Sequence, residues 1–172
     1  MQFFLKAKHW QIFLILIVGL FINNFTIEGN PNLTTSLNII GYLAYFSWPL
    51  FVGQGLLDYL PRRVEISGSF FLINGFLFIG SFIAVLIISG GETMHFTGFA
   101  ALVFFYVLYA GFYFLSFPAK VLNSIKSKSE ASLGGYLGDF FLIVLLPIGI
   151  WFLQPRINKV IEENEGQPDN SN

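Results

Sequence analysis

The chain has 172 residues, 55% hydrophobic and 11% charged, whereas a soluble globular domain carries about 25% charged residues. Nine Lys and Arg against ten Asp and Glu leave a net charge of −1, so no basic surface argues for nucleic acid as a partner. The absence of cysteine excludes disulfides, thiolate metal sites and cysteine nucleophiles. This composition predicts an all-α protein, a polytopic integral membrane helix bundle. Residues 1–160 read as one membrane-embedded domain and residues 161–172 as a disordered acidic tail without a polar-to-apolar pattern to bury.

Lys6 and Lys8 precede a stretch, residues 10–27, that carries no charge and would make about 27 Å of helix, close to the thickness of a bilayer's hydrocarbon core. A basic start and an apolar middle also fit a signal peptide. The exit, Asn23 to Thr26, lacks the small-x-small cleavage pattern, so the stretch reads as an uncleaved first span with Trp10 as its interfacial anchor. Residues 23–36 form a polar loop with Glu28, no basic residue and the turn formers Gly29, Asn30 and Pro31. Asn24 and Asn32 each begin an N-x-Thr triplet, which matters only in a eukaryotic secretory setting.

The second span covers residues 37–57, with a kink expected at Pro49, and a charged loop follows over residues 58–65. Residues 66–89 read as the third span, 90–95 as a turn and 96–117 as the fourth span. A loop is predicted over residues 118–132, carrying Lys120, Lys126, Lys128 and Glu130. The basic residues of this part of the chain (Lys6, Lys8, Arg62, Arg63, Lys120, Lys126 and Lys128) all fall on one side of that arrangement. By the positive-inside rule that side, with the N-terminus, is cytoplasmic.

Residues 133–155 form a fifth, Pro-interrupted segment with two readings. A kinked span would carry the C-terminus across, with Arg156 and Lys159 on the opposite side. A re-entrant hairpin turning near Pro147 and Gly149 would keep every basic residue on the cytoplasmic side, but its turn must be covered by protein. Charge favours the hairpin and simplicity slightly favours the span.

The opening Lys6-Ala7-Lys8-His9-Trp10-Gln11 and the closing Gly138-Asp139-Phe140-Phe141, Pro147-Ile148-Gly149-Ile150-Trp151 and Gln154-Pro155-Arg156-Ile157-Asn158 resemble small multi-pass membrane proteins of Bacteroidetes-type bacteria. That family carries no assigned activity. Glu is more usual in it where this chain has Asp139. The resemblance covers both ends of the chain and implies an inner-membrane location; it supplies no chemistry.

Asp139 is the one carboxylate that falls within an apolar segment, a placement that points to a proton or cation site. The plainer reading is a first-turn helix residue favoured by the helix dipole and reaching Lys120 or Lys126. Arg156 with Gln154 and Asn158 has the chemistry to bind a lipid headgroup phosphate. In a hairpin topology Arg62, Arg63 and Lys120 would join it on one basic face. Flanking-charge anchoring is the simpler account. Tyr106, Tyr109, Tyr113 and Ser116 share one helix face, as do Ser67, Asn74 and Ser81. Asn74 is the most interior amide and is expected to face the bundle, where such groups form interhelical hydrogen bonds.

His9 and His95 fall on opposite sides, and Glu92 with His95 gives two ligands without a third. No catalytic, metal or cofactor motif is visible. The chain therefore reads as a non-enzymatic accessory or assembly component acting through helix contacts and a cytoplasmic surface. Its partners would be the lipid bilayer and a membrane protein or a second copy of itself. The alternative is a small oligomeric transporter or channel using Asp139 and the polar helix faces. An enzyme acting on lipid ranks last, for want of an acid–base pair.

Overall fold

A computed structural model describes residues 2–89 and 95–166 of the chain. Seven α-helices stand among the described residues: α1 (Gln2–Lys6), α2 (His9–Asn23), α3 (Pro31–Leu56), α4 (Gly68–Ser89), α5 (Phe99–Ser127), α6 (Leu133–Val144) and α7 (Leu146–Glu165). A short 3-10 turn, Leu57–Tyr59, follows α3. The bundle is all-α, as expected.

The polytopic arrangement of four spans and a fifth segment is corrected. Among the described residues only α4 and α5 are long and apolar enough to cross a membrane, with mean hydropathies of 2.6 and 1.9 over their best windows. Helix α2 has 15 residues and rises about 22 Å, short of a hydrocarbon core of about 30 Å. Helix α3 has the length, at 26 residues, but its first turns hold Asn32, Thr34, Thr35, Ser36 and Asn38, and it is not apolar enough. The fifth segment is no span: it is two helices, α6 and α7, folded against each other.

Local chemistry explains the helix limits. Asn30 caps α3, its Oδ1 accepting from the backbone N–H of Leu33 at 3.1 Å, with Pro31 in the first turn where no N–H is needed. Helix α3 runs unbroken through Pro49, which is buried beside Trp48. The loop expected over 118–132 is likewise corrected. Helix α5 continues through a buried Pro118 to Ser127 and ends at Lys128, whose φ of 52° is left-handed. The residues flanking Pro118 are buried against the bundle (Phe117, Ala119, Val121 and Leu122), and such neighbours hold the helical path through a proline. Ser124 then pins the turn, donating to the Lys120 carbonyl and accepting from the Ala131 N–H.

Two close approaches shape the bundle. Helices α2 and α3 cross at Gly19 and Gly41; a Cβ on Gly41 would run into the backbone of Asn23 and the Gly19 carbonyl. In the hairpin, Gly149 lies against the carbonyl of Leu142, and a Cβ there would overlap that oxygen. Leu145 makes the turn between α6 and α7. Helix α6, with 12 residues, rises about 18 Å, so the turn lies partway along the bundle. Helix α7 then packs back along α2 towards the end that holds Lys6, Arg62 and the C-terminus of α5. It continues to Glu165, with Ile161 buried; residues 167–172 lie outside the described residues.

The core is aliphatic and aromatic. Phe71 of α4 stacks on Phe117 at 4.1 Å and on Phe114 at 5.4 Å, tying α4 to α5. Ile12, Leu16, Leu146, Ile150 and Leu153 fill the seam between α2 and α7. The outer surfaces are equally apolar, with Phe76, Ile88, Phe99, Leu102 and Phe105 each more than 60% exposed.

Candidate functional site

Two adjoining clusters of polar groups, both built on α7, lie at the basic end of the bundle. The first closes the α6–α7 hairpin. Asp139 is 8% exposed. Its Oδ1 accepts from Arg156 Nη1 at 2.6 Å and its Oδ2 from Asn123 Nδ2 at 2.8 Å. Both carboxylate oxygens are thus held, one by a charged donor from α7 and one by an amide from α5. Asn123 Nδ2 also donates to the Ala119 carbonyl within α5, which fixes the direction of the amide. The Arg156 side chain is 46% exposed, so water screens the pair, and its contribution falls between a surface and a buried ion pair, about 1–3 kcal/mol.

The second cluster ties the N-terminus to the hairpin. Gln154 is fully buried. Its Oε1 accepts from Trp48 Nε1 at 2.9 Å, and its Nε2 donates to the Phe4 carbonyl at 2.8 Å and the Ala7 carbonyl at 3.1 Å. Asn158, one turn on, accepts from Gln154 Nε2 and donates to the Ala7 carbonyl at 3.2 Å. A helix of five residues leaves its last carbonyls without intrahelical partners. These two amides supply the missing donors where α1 breaks from α2. The indole only donates and a carbonyl only accepts, so the partners themselves orient the Gln154 amide.

The remaining candidates lie elsewhere. Lys120 pairs with Glu130 at 2.6 Å, not with Asp139. Asn74 is buried on α4 and donates to the Phe70 carbonyl at 2.8 Å, with no partner for its Oδ1 among the described residues. Of Arg156, Gln154 and Asn158, Arg156 turns to Asp139, while both amides turn to the N-terminal backbone. The Tyr106, Tyr109 and Tyr113 rings follow one another along α5, and Ser67 serves as a cap, accepting from the Phe70 N–H. His9 packs on Trp151 with ring centroids 4.7 Å apart. Glu92 lies outside the described residues, and no group of three metal-ligating side chains occurs among those described.

Three participants carry no signal that sequence reasoning used: Asn123, Trp48 and the α1 carbonyls. Asp139 and Arg156, 17 positions apart on either side of the turn, carry a usable one, since opposite charges on the two arms of a hairpin can pair. Nothing in the composition of residues 4–7 marks them as acceptors for Gln154.

An outer latch completes this end. Glu165 accepts from Lys6 Nζ at 2.9 Å and from the Tyr59 hydroxyl at 3.2 Å, joining α7 to α1 and to the turn after α3. The hydrogen bond from Lys6 holds the Glu165 carboxyl below its ordinary value of 4.5, and the same bond raises Lys6 above its ordinary 10.5. A depressed carboxylate stabilises the fold above its unfolded value and loses that contribution as pH falls through its folded value. A raised ammonium stabilises it below its unfolded value and loses that as pH rises through its folded value. Hydrogen exchange of residues 2–7, corrected for intrinsic rates, is therefore expected to be level between those limits and to rise on both the acid and the alkaline side. A Glu165→Gln variant should flatten the acid limb.

Comparison with protein-family models, with curated proteins and with solved structures finds no match to this chain.

Proposed function

We propose that the chain is a non-enzymatic accessory or assembly component of a bacterial inner membrane. The α4–α5 hairpin is its membrane anchor, and both described ends of the chain face the cytoplasm. One observation carries this reading. The two helices most suited to a bilayer are turned outward: only 22% of the apolar window of α4 and 17% of that of α5 are buried inside the bundle. The core helix of a soluble protein would be mostly buried; a helix in lipid buries its apolar face against acyl chains instead.

Sidedness follows from charge. The connection before α4 holds Arg62 and Arg63, and the C-terminal turns of α5 with the loop beyond hold Lys120, Lys126 and Lys128. Both flanks of the hairpin's open end are basic, which favours a cytoplasmic setting. The polar side chains at that end bind one another across helices, and this suits a module that offers a shaped surface to a membrane protein or a second copy.

A transporter reading needs Asp139 free to exchange a proton or cation, whereas Arg156 and Asn123 hold both its oxygens. The test is Asp139→Asn. Proteoliposomes of the parent protein are expected to show no proton or cation flux above protein-free vesicles. The variant is expected to lose about 1–3 kcal/mol of stability in detergent and to release co-purifying protein or dissociate its oligomer. Flux by the parent that vanishes in a normally folded Asp139→Asn variant would replace this reading with transport.

A further inference from the structure

On α7, Ile148, Phe152, Arg156 and Lys159 fall at i, i+4, i+8 and i+11, one helix face. Its upper half is exposed apolar surface, Ile148 at 66% and Phe152 at 55%. Its lower half is cationic, with Arg156 and Lys159 side chains 46% and 76% exposed. Across from them, one turn past Asn123 on α5, stands Lys126. It is within electrostatic reach of Asp139, Arg156 and Lys159, and no carboxylate lies within ion-pair distance of it among the described residues.

Three cations, Arg156, Lys126 and Lys159, thus stand near two carboxylates, Asp139 and Glu163. Asp139 is saturated by Arg156 and Asn123, and Glu163 stands at 3.8 Å from Lys159 along the helix. Arg156 spends one nitrogen on Asp139, and with a side chain 46% exposed its guanidinium has further donors to offer. That pairing with a buried carboxylate restrains the half-exposed guanidinium, which lowers the ordering cost of a second, bidentate acceptor.

We propose that this face binds an anionic phospholipid: its phosphate lies between Arg156, Lys126 and Lys159, and an acyl chain runs along Phe152 and Ile148. The proposal rests on the membrane reading above. It commits to a lipid because the cationic patch continues directly into an exposed apolar strip, which a free phosphate would leave uncovered. Planar guanidinium and ammonium donors suit the phosphate oxygens, and the patch lies at the end of the hairpin where headgroups stand. The site differs from the set expected from sequence: Gln154 and Asn158 face the N-terminal backbone, and the two lysines take their place.

The experiment uses the full chain in a mild neutral detergent, followed by thermal unfolding with short-chain phosphatidylglycerol, short-chain phosphatidylcholine or inorganic phosphate. Phosphatidylglycerol alone is expected to raise the Tm. The double variant Lys126→Gln/Lys159→Gln, which keeps the Asp139–Arg156 pair, should bind it on the order of tenfold more weakly. The charge-matched control Arg62→Gln/Arg63→Gln should retain the parent's response. An equal loss in both double variants would reduce the effect to general electrostatics and overturn the site, as would an undiminished response in the lysine variant. A Tm rise with inorganic phosphate alone would assign the patch to a soluble anion and overturn the lipid. Stable insertion into phosphatidylcholine vesicles is measured separately, so failure of the membrane reading is seen independently of failure of the site.

Discussion

Gly149→Ala is expected to destabilise the protein by about 3 kcal/mol, although the same exchange within an open helix stabilises. The added methyl would overlap the carbonyl oxygen of Leu142. That oxygen belongs to the backbone of α6 and cannot move away as a flexible side chain would, so the two arms of the hairpin must separate. Separation draws Arg156 from Asp139 and opens the seam that Leu146 and Ile150 fill against α2. Gly138→Ala is the matched control, because a methyl there meets nothing within 4 Å. It lies inside α6, where replacing glycine with alanine is worth up to about 1 kcal/mol in the stabilising direction. Thermal unfolding of the two variants in one detergent should move the midpoint in opposite directions. Equal midpoints would mean that the hairpin does not depend on this approach.

The same hairpin shows what can be read from the chain and what cannot. Charge placement is informative: the pattern puts Arg62, Arg63, Lys120 and Lys126 at one end, and the antiparallel course of α3, α4 and α5 sets them there. The apolar runs of α4 and α5 are legible because no charged residue interrupts residues 68–89 or 99–119. Helix α2 looks like a span because a count of uncharged residues ignores where the helix stops, and α3 because the same count ignores its uncharged polar residues. Asn23 closes α2 by donating to the Asn38 carbonyl, a contact between segments that no single-segment count contains. Pro118 misleads for the opposite reason. Proline argues locally for a helix end, yet close packing around it carries α5 for two more turns.

Asp139 and Arg156 both stand out in the sequence, but their pairing depends on whether residues 133–155 turn back. Net charge alone does not decide that choice. The deciding feature is steric: glycine at position 149 permits the α6–α7 approach at the point where Leu145 makes the turn. The candidate polar cluster at the N-terminus is illegible for a similar reason. Backbone carbonyls look alike in every sequence, and only the break between Lys6 and His9 leaves those of Phe4 and Ala7 in need of donors.

That need makes Gln154→Leu the second large-effect substitution. Leucine matches the volume of the glutamine closely enough to leave no cavity, so the loss reports on hydrogen bonding. The Trp48 indole N–H and the Phe4 carbonyl would each be left buried without this partner, and the Ala7 carbonyl would keep only Asn158. An unpaired buried polar group costs about 1–3 kcal/mol, so two such groups predict a loss of about 2–6 kcal/mol, concentrated in the N-terminal segment. The absence of native cysteine gives a local readout. Ala7, 5% exposed in the parent, is replaced by Cys as a reporter, and maleimide labelling is followed in detergent. The reporter should react slowly when Gln154 is intact and at least tenfold faster in the Gln154→Leu background if α1 detaches. Gln154→Glu separates geometry from charge: a carboxylate still accepts from the indole but offers no donor to the carbonyls. Rapid labelling in both variants would assign the hold on α1 to the amide nitrogen, and rapid labelling in Gln154→Leu alone would assign it to the indole bond. Slow labelling in both would mean that the Lys6–Glu165 latch and the burial of Leu5 suffice to keep the N-terminus in place.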